Sequence, residues 1–278
     1  MTLKGYLEQN YTTQTVDSYL RAINHFLFHS KQKGQSTYSD VIEYLNRENK
    51  ASPRNLSAIK VYFNYLIDMG KREDHPCRSL KAKGPSRSVQ FQELFTKDEL
   101  ERLLKRKERY AMLSDRNKAI LSLLIYQGLT PANIENLRIQ DIDLDGGTVY
   151  IRATSTIKRR RLELKSKQIL LLYRYLSESR PKLLKKETDA LFITKVGVDF
   201  NVESLNRMLR PLQGLFPFKN LNANVIRKSV ITNWLNVDRI PLEDVQLLAG
   251  HKWLSTTEKY VRPNVDERRE QINVFFPL

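Results

Sequence analysis

Apolar residues in the first eighty positions recur at helical spacing. From Thr15 they fall at Val16, Tyr19, Leu20, Ile23, Phe26 and Leu27, the period of one buried helical face. Gly34 interrupts that pattern, and Val41, Ile42 and Leu45 mark a shorter helix after it. Ser52 followed by Pro53 is an N-cap and first-turn pair, which predicts a third helix with Leu56, Ile59, Phe63 and Leu66 inward, closing at Gly70. Residues 81–93 combine Gly, Pro, Ser and basic side chains without an apolar period and read as a linker. This places a helical domain at 1–82, a linker at 83–93 and a second domain at 94–278.

The second domain opens on a capping box, Thr96 with Glu99, ahead of Leu100, Leu103 and Leu104. Residues 117–126 are apolar on all sides and predict a buried helix. Asp145-Gly146-Gly147 is a turn signal; a strand at 148–153, a loop at 154–159 and a second strand at 160–164 follow it. Helices are predicted at 166–177, 202–212, 224–237, 241–248 and 255–261. The fold class is mainly α (α+β), two helical domains with one small antiparallel sheet in the second.

Composition narrows the function classes. Lys and Arg number 47 against 31 Asp and Glu, a formal net charge of +16. The excess is spread through folded-looking sequence, with 12 basic and 8 acidic residues in 1–82 and the larger surplus after it. A distributed basic surplus suits a polyanionic partner such as nucleic acid. The single cysteine, Cys77, excludes a disulfide framework and a multi-cysteine zinc cluster. His25 and His29 share a helix face at metal-ligand spacing, but no acidic residue joins them and packing explains them better. No apolar run approaches a membrane span and no signal peptide opens the chain, so a cytoplasmic protein is expected.

Three segments carry the candidate chemistry. The first is Leu248-Ala-Gly-His251-Lys-Trp-Leu-Ser-Thr-Thr-Glu-Lys-Tyr260, the second Asn224-Val-Ile-Arg227-Lys-Ser-Val-Ile-Thr-Asn-Trp-Leu235, and the third runs from Tyr126 through Thr130 to Asp143. Any one of the 13 tyrosines is by default a packing residue, and a lone helical arginine is routine. Taken together, these segments resemble the boxes of the tyrosine site-specific recombinases (phage integrase, Xer-like), over residues 94–278.

That resemblance implies an N-terminal core-binding domain and a catalytic domain that cuts and rejoins DNA through a 3′-phosphotyrosine link. It implies Tyr260 as nucleophile, Arg227 and His251 on the scissile phosphate, Asn224 beside them, and Lys158 of the hairpin loop as general acid. Strict register places Ser155 where the family lysine usually stands. Basic residues expected on DNA are Arg152, Arg159, Arg160 and Lys252 in the second domain, and Arg54 and Lys60 in the first. The chemistry needs no metal or other cofactor. The implied partner is double-stranded DNA with short, partly symmetric sites, bound by homodimers and homotetramers, with accessory DNA-bending proteins an open class. The tail, with Val274, Phe275 and Phe276, suits docking on a neighbouring subunit or on its own domain.

Two positions depart from the family pattern. Thr130 stands where an arginine is usual, and Asn224 replaces the histidine of the His-x-x-Arg element. Loss of a bidentate arginine at a phosphoryl transition state removes charge that must come from elsewhere. Either a hairpin cation (Arg152, Arg159 or Arg160) fills the vacancy, or the chain is a DNA-binding relative that partners an active recombinase. A type IB topoisomerase shares the same site logic, and a metal nuclease fits poorly because no carboxylate cluster accompanies His251.

Overall fold

The computed structural model describes residues 1–30, 35–47, 52–82, 89–108 and 110–262. Gly34, linker residues 83–88 and the hydrophobic tail at 274–276 lie outside the described residues. The chain divides into two compact units, Met1–Arg87 and Ser88–Leu278.

Among its described residues the first unit holds four α-helices: α1 (Leu3–Asn10), α2 (Thr13–His29), α3 (Tyr38–Asn46) and α4 (Pro53–Asp68). Sequence chemistry sets their starts. Thr37 and Asp40 form a reciprocal capping box on α3, and the Ser52 hydroxyl accepts from Asn55 N ahead of Pro53. α2 packs along α4, and Ile23, Phe26, Ile59 and Phe63 are fully buried between the helices. The first helix was not expected, since Leu7 is its only buried side chain. Its anchors are polar and tertiary: Tyr6 donates to Asp68 Oδ2 at 2.6 Å and Tyr65 to the Met1 carbonyl at 3.0 Å. The His25 and His29 rings lie 4.5 Å apart, tilted by 37°, with His25 Nδ1 3.0 Å from the Tyr44 hydroxyl.

The second unit contains α5 (Lys97–Lys105), α6 (Ala111–Tyr126), α7 (Pro131–Asn136), β1 (Ile142–Asp143), β2 (Thr148–Ile151), β3 (Arg160–Glu163), α8 (Ser166–Arg174), α9 (Arg180–Leu183), α10 (Val202–Leu209), α11 (Ala223–Asn236), α12 (Leu242–Ala249) and α13 (Leu254–Glu258). The Thr96–Glu99 capping box forms as read. α6 is the buried centre, with Ile120, Leu123 and Leu124 against Ile226 and Val230 of α11. The sheet is antiparallel in the order β1-β2-β3, with Val149 opposite Leu162 and Ile151 opposite Arg160. Strand β1, two residues long, carries too little pattern to be read from sequence. The helix expected to stop near 177 instead continues through a π-helical turn, Tyr175–Ser179, into α9, because Tyr175 is buried and bonded to the Leu191 carbonyl.

Side chains alternate faces along a strand, so Arg160 shares the inward face of β3 with buried Leu162 while Arg159 and Arg161 are exposed. That parity positions the site.

Candidate active site

Arg227 projects from the first turns of α11, whose start is capped by Asn222 through a 3.0 Å bond from Val225 N. Its guanidinium is buried and held by two backbone carbonyls, Gly128 O at 2.5 Å from Nη1 and Ala249 O at 2.7 Å from Nη2. Gly128 has φ +57°, and a β-carbon there would come within 3.2 Å of the Trp234 ring, so a larger residue would displace the carbonyl that seats the arginine. Burial lowers the Arg227 pKa to about 10.

The second wall is the C-terminal end of α12. Gly250 takes the left-handed conformation (φ +71°) that ends the helix and leaves the last carbonyls without intrahelical partners. Arginines occupy two of them. Ala249 O accepts from Arg227, and Leu248 O accepts from Arg160 Nε at 2.8 Å. The negative end of the helix dipole favours both cations. The chain after α12 then pairs with the β2–β3 loop, through an antiparallel bridge between Ile157 and His251 and a 2.8 Å bond from Lys158 N to Gly250 O.

His251 is 7% exposed, with Nδ1 2.9 Å from Thr257 Oγ1 of α13. Burial, together with the charges of Arg227 and Arg160, lowers its pKa from 6.5 to about 4, so the ring is neutral at physiological pH. Tyr260 stacks against it, ring centroids 6.1 Å apart and planes 16° from parallel. The Tyr260 ring also packs against the small cluster of Ile231, Val245 and Ala249. Burial raises its pKa, and Arg227 opposes that rise. The Tyr260 backbone is pinned from α11: Asn236 Nδ2 donates to Tyr260 O and Asn236 Oδ1 accepts from Arg262 N, each at 2.8 Å.

The other sequence-derived residues fall in distinct places. Asn224 is exposed one turn before Arg227, and Lys158 and Ser155 are exposed on the β2–β3 loop. Thr130 is not an empty position. It caps α7, its hydroxyl accepting from Asn133 N and its N–H donating to Asn133 Oδ1, both at 3.1 Å. Arg152 is ion-paired with Asp141 at 2.8 Å, outside the cluster, while Arg159 and Lys252 are exposed. In the first unit Arg54 lines a polar groove of about 540 Å³ between α2 and α4 that also contains Arg21, Tyr19 and Gln14. Lys60 lies elsewhere and donates to the Arg78 carbonyl at 2.8 Å. Asn236, Thr257 and Arg21 were missed, because nothing in their local sequence marks them.

The low His251 pKa has a consequence for stability. The unfolded chain takes up a proton near pH 6.5, which the folded chain accepts only near pH 4. Stability is therefore full above pH 6.5 and falls as pH drops toward 4 and below, by about 3 kcal/mol in all. His251→Gln should flatten that acid limb when melting temperatures at pH 7 and pH 4.5 are compared. Equal acid sensitivity in variant and wild type would show that His251 does not carry it.

A sequence profile described as the phage integrase family matches residues 93–267. Among curated relatives, a tyrosine recombinase XerC of Oceanobacillus iheyensis is 26% identical over 279 residues, covering 95% of this chain and 90% of its own. The XerC of Natranaerobius thermophilus is 28% identical over 295 residues, covering 99% and 96%. Among solved structures, the XerH site-specific recombinase bound to difH substrate superposes with a TM-score of 0.73 at 20% identity, covering 97% of this chain and 82% of that one. The Tn1549 transposon integrase in complex with circular intermediate DNA gives 0.70 at 15% identity, covering 99% of each. At those identities the superpositions speak for the fold. The profile does more, since it spans over half of the chain and encloses Arg160, Arg227, His251 and Tyr260, and it makes this protein a member of the phage integrase family of tyrosine recombinases.

Proposed function

We propose that this chain performs site-specific recombination by cutting and rejoining DNA strands through a covalent link between Tyr260 and the 3′-phosphate. The observation that carries the reading is the convergence of Tyr260, His251 and Arg227 on one buried, electropositive centre with no carboxylate among their ion-pair partners in the described residues. In the cleavage step the Tyr260 oxygen attacks phosphorus, the bond to the 5′-oxygen breaks, and that oxygen leaves with a proton as a 5′-hydroxyl. Rejoining reverses the step. One phosphoester replaces another throughout, so no nucleotide cofactor is required.

Arg227, buried and fixed by two carbonyls, supplies preorganised positive charge to the non-bridging oxygens. His251 is neutral with Nδ1 engaged by Thr257, leaving Nε2 to meet the phosphate or the tyrosine proton. Lys158, on the loop tied to Gly250, is the candidate acid for the leaving oxygen, and Asn224 offers an amide to the phosphate from the adjacent turn. The partner is double-stranded DNA with short, partly symmetric sites, engaged by dimers and tetramers. XerH and the Tn1549 integrase were both solved on DNA, and the net charge of +16 agrees with such a partner. In the first unit, the Arg54–Arg21 groove is the candidate phosphate contact.

A second reading has one specific observation behind it. The Thr130 side chain is spent on capping α7 and brings no charge, which suits a DNA-binding relative that has lost cleavage. One experiment separates the two: incubation with a nicked suicide substrate carrying a bound site, in EDTA, followed by denaturing electrophoresis. A protein–DNA adduct is expected. Footprinted binding with no adduct would leave the second reading standing.

A further inference from the structure

We propose that Arg160, the first residue of β3, is a catalytic residue that brings a second guanidinium to the scissile phosphate, supplying the charge absent at Thr130. This rests on the strand-cleavage reading above. The hairpin offers four arginines, and the structure separates them. Arg152 is paired with Asp141 and Arg161 lies 3.9 Å from Asp143, while Arg159 is exposed. Strand parity turns Arg160 alone to the inner face, where it meets the end of α12.

Its bonding is incomplete in an unusual way. Nε is satisfied by Leu248 O, but Nη1 and Nη2 are sealed from solvent and have no hydrogen-bond partner. The other buried arginines of this unit, among the described residues, leave no sealed nitrogen without a partner. Arg116 uses Nε, Nη1 and Nη2 on Asn117 and the Ile193 carbonyl, and Arg180 bonds the carbonyls of Thr188, Ala190 and Leu191. Among the described residues, the only other buried side-chain atom left orphaned is a threonine hydroxyl. Buried, unpaired charged donors are costly, and an acceptor brought from outside the chain relieves that cost.

The neighbours say what that acceptor is. Arg227 adds a second positive charge at close range, and both arginines depress His251. Neither arginine takes part in an ion pair among the described residues. Two guanidiniums held on the consecutive carbonyls of Leu248 and Ala249 concentrate donors and positive charge, and a phosphodiester matches them with two non-bridging oxygens. Space for the group is secured by Gly250. A β-carbon there would overlap Nη1 and lie 3.0 Å from Cζ. Because both terminal nitrogens are covered, engagement includes a local opening that bares them.

The test compares wild type and Arg160→Gln on two nicked suicide substrates, one with the normal scissile phosphodiester and one with a neutral methylphosphonate there. Loss of a charge-stabilising arginine should cut adduct formation about 100-fold or more on the phosphodiester, but less than about 10-fold on the methylphosphonate, which has no charge to neutralise. Equal losses on both substrates, or no loss on either, would overturn the proposal. Arg160→Lys, read on the same pair, keeps it testable if Arg160→Gln melts early. Wild type forming no adduct at all sinks the strand-cleavage reading itself, an outcome distinct from an indifferent Arg160 variant.

Discussion

Tyr260→Phe is expected to abolish the covalent adduct, by at least about 10⁴-fold, while DNA affinity stays within a few-fold of wild type and the melting temperature is unchanged. The substitution removes one oxygen and nothing else. The ring that packs on Ile231, Val245 and Ala249 and stacks on His251 is retained, and the backbone anchors at Asn236 are untouched. Among the described residues the phenolic oxygen makes no hydrogen bond, so its loss leaves no buried partner stranded. An adduct that survives in the variant would move the nucleophile to another tyrosine and overturn the assignment.

Arg227→Lys should be nearly as damaging. Lysine keeps the charge but has one nitrogen on a flexible stem, and it cannot span the Gly128 and Ala249 carbonyls as the guanidinium does. Cleavage is expected to fall about 10³-fold through lost transition-state charge placement. One carbonyl left unsatisfied in the interior costs about 1–3 kcal/mol, which lowers the melting temperature by a few degrees. Adduct kinetics and thermal melts on the same preparations check both effects. Near-normal cleavage by the lysine variant would mean that Arg227 serves packing alone.

Much of the fold could be read from the chain because its signals are local. The Thr96–Glu99 box, the apolar face from Val16 to Leu27 and the Ser52-Pro53 start each specify an element within a few residues. What escaped was long-range or short. Strand β1 is defined by pairing with β2, and α1 by hydroxyl bonds from Tyr6 and Tyr65. Arg227, His251 and Tyr260 were legible as types at a spacing, yet their supports were not. Two carbonyls, Gly128 and Ala249, carry no side-chain signature, and Asn236 reaches Tyr260 from 24 residues away. Thr130 was read only for the arginine it replaces. The run Thr-Pro-Ala-Asn, with a hydroxyl at the cap, proline next and an amide at the third position, marks a helix start and accounts for the residue on its own. Arg160 could also have been singled out, since Leu162 and Leu164 flank it at strand parity and both are buried.

The end of α12 sets a limit on how this chain tolerates changes in length. One residue inserted into an α-helix turns everything beyond it by about 100° and advances it by about 1.5 Å. An insertion between Leu242 and Leu248 would swing both seating carbonyls away from Arg160 and Arg227 at once, with no side chain altered. The outer face of α12, with Glu243, Asp244 and Leu247 exposed, touches neither arginine and tolerates exchange of side chains. Descendants of this chain can therefore vary the outer residues of α12, while the helix keeps its count.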